Sequence, residues 1–300
     1  MWLPRFACPE CETPTSDAID DRVCCARCGR VFERRDGVWR FLVEARAVRL
    51  EPFARQYRVV REKEGRRVAS PGYYKALPSV PAHDPNARDW RIRHETYRHL
   101  LRRLLASGKH PSVILDAGAG SGWLSHRLAA LGHHVVAIDA ITDEVDGLGA
   151  VRHYNAPIVA MQADFDALPL APGQFDLVVF NGSLHYAADP EATLARTRRM
   201  LAPAGRLVVM DSPMFTADRD GAAMVASAFR RFADQYGLHE IVQPGRGYLT
   251  FASLAAAAGT LKMASEFVPS RGSIAWRVRR QLSRLTLGRR PASFGLWIAR

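Results

Sequence analysis

The chain has 300 residues, 48% of them apolar and 24% charged, an ordinary balance for a soluble globular protein with a sizeable core. No window approaches the ~18 uninterrupted apolar residues of a membrane span, and Met1-Trp2-Leu3-Pro4-Arg5 has no apolar signal region, so the expected compartment is the cytoplasm. The net charge of +12 is uneven: residues 1–110 carry +9, residues 111–270 carry −5 and residues 271–300 carry +8. A basic flank can attract RNA, an anionic lipid surface or an acidic small molecule, and an arginine-rich solvated surface gives the same counts.

All five cysteines lie in the first 28 residues. Cys8-Pro9-Glu10-Cys11 and Cys25-Ala26-Arg27-Cys28 are two C-x2-C knuckles separated by 13 residues, and Gly29 follows the second. Four thiolates at this spacing can close a tetrahedral zinc site with Cys8, Cys11, Cys25 and Cys28 as ligands and Cys24 spare. Four protein ligands leave no open position, so the zinc is expected to be structural. Residues 1–43 are read as this small unit. Residues 44–89 carry a charged stretch and then Pro71, Pro78, Pro81 and Pro85, and are read as an irregular linker wrapping on the core.

The third unit spans residues 90–300. Ile92, Tyr97, Leu100, Leu101, Leu104 and Leu105 fall at helical spacing over Trp90 to Ala106, with Gly108 and Pro111 as stops. Apolar runs at Val113–Leu115, Val135–Ile138, Ile158–Met161, Leu177–Phe180 and Leu207–Met210 then alternate with helical stretches such as Trp123–Leu131 and Pro190–Leu201. That alternation predicts an α/β fold with a parallel sheet covered on both faces. A helical insertion over Gly221–Tyr236, a helix at Phe251–Ala258 and strands at Ala264–Val268 and Phe294–Ala299 complete the chain. There is no internal repeat and no low-complexity tract.

The first strand of this alternation runs into Asp116-Ala117-Gly118-Ala119-Gly120-Ser121-Gly122, which opens a helix. The glycines permit a tight turn and leave room for a ligand against the backbone. The next strand ends in Asp139, 23 residues after Asp116, where a carboxylate can accept hydrogen bonds from both hydroxyls of a ribose. Asp164 and Phe165 after the third strand offer an acid and an apolar ring to an adenine, and the fourth strand ends in Asn181 at the ligand-binding edge of an open α/β sheet.

With these motifs in this order, Val113 to Pro213 resembles the class I S-adenosylmethionine-dependent methyltransferases, in particular their type 11 group. Val-Ile-Leu-Asp-Ala-Gly-Ala-Gly-Ser-Gly-Trp resembles the first motif, His-Val-Val-Ala-Ile-Asp the second-strand acid, and Gln-Phe-Asp-Leu-Val-Val-Phe-Asn-Gly-Ser-Leu-His-Tyr the fourth. Pro203-Ala204-Gly205 stands where that group usually has Pro-Gly-Gly. The resemblance implies a Rossmann-like seven-stranded sheet, S-adenosylmethionine as cofactor and a cofactor site of Asp116, Gly118, Gly120, Gly122, Asp139, Asp164, Phe165 and Asn181. It implies that Gly118, Gly120 and Gly122 line the methionine and ribose portion, that Asp139 holds the ribose, that Asp164 faces the adenine amino group, and that Asn181 sits near the methyl donor. His185 is the best-placed base, with Tyr186 beside it; packing against the cofactor loop is the alternative for His185. The stretch after the second knuckle, Val31 to Trp39, resembles the Trm112-like zinc ribbons fused to bacterial methyltransferases. A small-molecule or lipid-like acceptor is the leading reading. The alternatives are an rRNA guanine methyltransferase, in which the Arg271–Arg290 stretch tracks a phosphate backbone, and a cofactor-binding interaction protein without turnover.

Overall fold

The structure, a computed structural model, describes residues 2–68, 70–105, 111–240, 242–272, 278, 280, 282 and 288–300. Most of the Arg271–Arg290 stretch expected to track a phosphate backbone, and Gly108 as a helix stop, lie outside these residues.

Three short strands open the chain: β1 (Arg22–Cys24), β2 (Val31–Arg35) and β3 (Val38–Arg40). Helices α1 (Glu44–Lys63), α2 (Pro71–Ala76) and α3 (Ala87–Leu100) follow. The alternation then begins with β4 (Val113–Ala117), α4 (Trp123–Ala130), β5 (His134–Asp139) and β6 (Ile158–Gln162). It continues with β7 (Phe175–Asn181), α5 (Pro190–Arg198) and β8 (Leu201–Met210). The last elements are β9 (Met214–Phe215), α6 (Asp218–Tyr236), β10 (Leu249–Thr250), α7 (Phe251–Thr260), β11 (Ser265–Pro269) and β12 (Gly295–Ala299).

The main sheet has the order β1-β2-β3-β6-β5-β4-β7-β8-β12-β11. Its seven strands from β6 to β11 form the expected Rossmann-like core, parallel except for β12, which runs antiparallel to both β8 and β11. The strand order reverses at β4, which lies between β5 and β7. That reversal opens a crevice beyond the carboxyl ends of the strands, where ligands of open α/β sheets bind. The inner strands are apolar runs rather than alternating ones because both faces are covered. Leu194 of α5 and Leu254, Ala257 and Ala258 of α7 pack with Leu115 and Val136 on one face. Tyr74, Trp90, Leu100 and Leu124 from α2, α3 and α4 pack with Ile114 and Val135 on the other.

The cysteine-bearing segment is joined to this core. Strand β3 pairs in parallel with β6, and Phe6, Val23, Phe32, Trp39 and Phe41 belong to the same buried cluster as Leu115 and Val159.

The stretch 44–89 departs from its sequence reading. Instead of being irregular throughout, it opens with the 20-residue α1, which carries Pro52 in its interior. The helix escaped a periodicity reading because none of its residues is buried. It is fastened by ion pairs: Arg46 and Arg49 to Asp164 at 2.7 and 2.8 Å, Arg58 to Asp143 at 3.4 Å, and Arg61 to Asp146 at 3.2 Å. Among the described residues, no helix is long and apolar enough to cross a membrane.

Candidate active site

The loop from β4 to α4 turns through left-handed backbone at Gly118 (φ 76°), Gly120 (φ 55°) and Gly122 (φ 72°). A Cβ on Gly118 would stand 2.4 Å from the Ser183 Cβ, which no side chain tolerates, whereas one on Gly120 would meet only the Asp146 carbonyl at 3.8 Å. The first glycine lets the β7 loop approach; the second leaves open space. Gly118 and Ala119 donate their N–H groups to the Ile138 carbonyl at 2.8 and 2.9 Å, which fastens the turn to β5.

Beyond the turn lies a cavity of about 450 Å³, lined by Gly118, Gly120, Asp139, Asp164, Phe165, Asn181 and Tyr186, and on its other side by Phe53, Tyr57, Trp90 and Arg93. A volume of this size is in the range of small-molecule and cofactor sites. The Asp139 carboxylate accepts from the Gly120 N–H and the Ile141 N–H, both at 2.8 Å. Burial pushes its pKa up and these backbone donors pull it back. The carboxylate is therefore oriented before any ligand arrives. Asn181 Oδ1 is buried without a hydrogen-bond partner among the described residues, an acceptor available to a ligand.

Asp164 lies on the wall as expected, but its oxygens are occupied. Oδ2 accepts from Arg46 and Arg49, and Oδ1 accepts from the Asp166 N–H at 2.9 Å. Phe165 stands edge-on to Phe180 with ring centres 6.0 Å apart. Asp116 and Gly122 are outside the residues lining the cavity. Gly122 caps α4, and a Cβ there would press on Val151 at 3.0 Å. The fully buried Asp116 accepts from the Ser125 hydroxyl at 2.7 Å and ties β4 to α4 beneath the turn.

Asp116 yields a pH prediction. Burial raises its pKa from the ordinary carboxylate range to about 7. The unfolded chain has a pKa near 3.9, so between about pH 4 and pH 7 the folded state holds more protons, and stability falls as pH rises through that window. Asp116→Asn has no proton to lose. Its stability relative to the native protein should rise by on the order of 2–4 kcal/mol between pH 4 and pH 8. Urea unfolding of both proteins at the two pH values checks this; a difference unchanged with pH would contradict it.

Tyr186 and His185 are side by side, ring centres 4.2 Å apart, but face differently. Tyr186 lines the first cavity with Phe53 and Tyr57, at 5.3 and 6.1 Å between centres. His185 instead lines an adjoining cavity of about 390 Å³, together with Arg93, Asp211, Phe232 and Phe294, and its Nδ1 is 3.1 Å from the Ser212 hydroxyl. Burial, helped by Arg93, lowers the His185 pKa to about 3, so the imidazole is neutral at pH 7. Burial raises the Tyr186 hydroxyl well above its usual range.

Sequence reasoning missed one wall of the site. Arg49, Phe53, Tyr57, Arg61, Tyr73, Tyr74 and Arg93 all line the first cavity and come from α1, α2 and α3. The available signal was the Phe53/Tyr57 pair, spaced to share one helix face.

In the cysteine-bearing segment, the Sγ atoms of Cys8, Cys11, Cys25 and Cys28 all lie within 4.8 Å of one another. Cys8 to Cys28 is 3.8 Å and Cys11 to Cys25 is 3.4 Å. A tetrahedron with zinc–sulfur bonds of about 2.3 Å has edges of about 3.8 Å, so the set fits zinc. Cys24 turns away, its sulfur 3.5 Å from the Gly29 carbonyl.

A glycine turn, an oriented acid on the next strand and a cavity at the strand-order reversal thus meet at one crevice of a Rossmann-like sheet. Residues 115–209 match the family described as "Methyltransferase domain". A malonyl-[acyl-carrier protein] O-methyltransferase of Hahella chejuensis is 34% identical over 100 residues, 33% of this chain and 36% of that protein. An uncharacterized methyltransferase of Mycobacterium tuberculosis is 37% identical over 114 residues, 38% of this chain and 56% of that protein. The chain thus spans about a third to just over half of the length of these relatives. Among solved structures, magnesium protoporphyrin IX methyltransferase from Synechocystis PCC 6803 with bound S-adenosylmethionine aligns over 77% of this chain and 92% of that one, at 16% identity and a TM-score of 0.48.

Proposed function

We propose that the protein is an S-adenosylmethionine-dependent methyltransferase acting on a small-molecule acceptor, with a structural zinc site in a ribbon-like unit over residues 1–43. The observation that carries this reading is the convergence of the Gly118/Gly120 turn, the oriented Asp139 and the unpartnered Asn181 Oδ1 on one cavity within the methyltransferase-matching stretch. Bound there, the cofactor supplies a methyl group already activated on a sulfonium. Gly120 gives it room, Asp139 accepts from its ribose, Phe165 and Asp164 flank its adenine, and Asn181 stands at the methyl-bearing end. The remaining task of the protein is to orient the acceptor and exclude water. Phe53, Tyr57 and Tyr186 do so with an aromatic wall. His185 stands beside this wall as a neutral hydrogen-bonding group, since a base with its pKa near 3 takes a proton poorly at pH 7. An organic acceptor suits the aromatic lining, and the name of the Hahella relative gives an acyl group as its acceptor. Cys8, Cys11, Cys25 and Cys28 fill all four positions on the zinc, which gives it a structural role.

Labelled S-adenosylmethionine incubated with the protein and a cell extract tests the reading. S-adenosylhomocysteine should form, with label in small molecules that resist RNase. Label released by RNase would overturn the acceptor class, and no turnover with any extract would overturn the activity.

A further inference from the structure

Arg93 is the unusual cation of the chamber. It belongs to α3 and lines both cavities beside Gly182 and Tyr186. Its guanidinium stacks on Trp90 at 5.2 Å from the ring centre. The other arginines on these walls are ion-paired with carboxylates: Arg49 with Asp164, Arg61 with Asp146, and Arg66 with Glu64 and Asp89. Arg93 makes no ion pair and no side-chain hydrogen bond among the described residues. Asp211, on the wall of the second cavity, accepts from the Thr96 hydroxyl at 2.8 Å; burial pushes its carboxyl pKa up while the nearby Arg93 charge pulls it down, but it makes no hydrogen bond to the guanidinium. The neighbouring His185 is uncharged at neutral pH and supplies no competing cation.

A half-buried guanidinium held over an indole, with no acceptor among the described side chains, is costly to keep unless something accepts from it. A single guanidinium fork of this kind matches the two oxygens of one carboxylate, with two parallel N–H···O bonds to one group. The surrounding Phe53, Tyr57 and Tyr186 suit an apolar body attached to that charge.

We propose that Arg93 is the specificity-determining residue of the acceptor site, and that the acceptor is an organic carboxylic acid whose carboxylate Arg93 holds at the junction of the two cavities. This deepens the methyltransferase reading and rests on it for the identity of the acceptor site.

Calorimetric titration of the full chain saturated with S-adenosylhomocysteine tests the proposal. The probes are phenylacetate, octanoate and succinate, each compared with its amide, and phenyl phosphate. At least one acid should bind about 10- to 100-fold more tightly than its amide. Arg93→Gln should erase that preference while leaving amide binding and S-adenosylhomocysteine affinity unchanged, and Arg93→Lys should restore part of it. A merely structural role for Arg93 would not separate acid from amide. The proposal is overturned if no acid is preferred over its amide, if Arg93→Gln keeps the preference, or if phenyl phosphate binds more tightly than every acid. Failure of the native protein to bind S-adenosylhomocysteine would count against the methyltransferase reading instead; the same probes on the unsaturated chain would then decide the role of Arg93.

Discussion

Replacing Asp139 by alanine is expected to remove most of the stabilisation that S-adenosylmethionine gives this protein. At ~100 times its dissociation constant the cofactor should stabilise the native chain by about 2.7 kcal/mol. Two hydrogen bonds to a charged acceptor are worth roughly 100-fold or more in affinity, so the same concentration would add only about 0.4 kcal/mol to the variant. Asp139 also accepts from Gly120 and Ile141, and the variant will be less stable on its own account. The comparison to make is therefore the cofactor-induced shift of each protein in thermal unfolding. Equal shifts would mean that the ribose lies elsewhere.

The second large effect concerns the metal. Protein purified without chelator should carry one zinc per chain. Cys25→Ser should lose it and Cys24→Ser should keep it, because Cys24 points to the Gly29 carbonyl and the other four sulfurs converge. Metal removal should reach well beyond the first 43 residues. Cys8 and Cys25 share one buried cluster with Phe6, Trp39 and Phe41 and with Leu115 and Val159 of the sheet. Zinc binding energy is folding energy, so chelation should lower the melting temperature of the whole chain by roughly 10 °C or more. Zinc-free protein as purified, or a melting temperature indifferent to chelation, would contradict this assignment.

The residues proposed to hold the cofactor were legible in the sequence because their signals are local. The glycine turn, Asp139 and Asn181 each sit at the end of an apolar run, and strand order then brings them together. The metal site was legible for the same reason, as two knuckles at close spacing. The acceptor half was not. Helix α1 is fixed by Asp143, Asp146 and Asp164, some 85 to 118 positions away along the chain, and buries none of its residues, so neither periodicity nor composition marks it. The same ion pairs explain why Asp164 looked free in the sequence and is engaged in the fold. Phe215, ahead of the later insertion, is core, while Phe232 within it lines the second cavity. Arg93 is indistinguishable in the sequence from the many arginines around it; only the carboxylate partners of the other cavity-lining arginines, Arg49, Arg61 and Arg66, set it apart.

The parallel pairing of β3 with β6 has a consequence for anyone shortening this chain. In the intact protein the open side of β6 is satisfied from Val38 to Arg40. A chain beginning after Val43 would present a bare row of N–H and C=O groups along β6, next to the apolar surface that Trp39 and Phe41 now cover. Unpaired edges of that kind recruit strands from other molecules. The truncated chain would then be prone to self-association, and the N-terminal segment acts as the selvage of the sheet, closing the edge that would otherwise recruit other molecules.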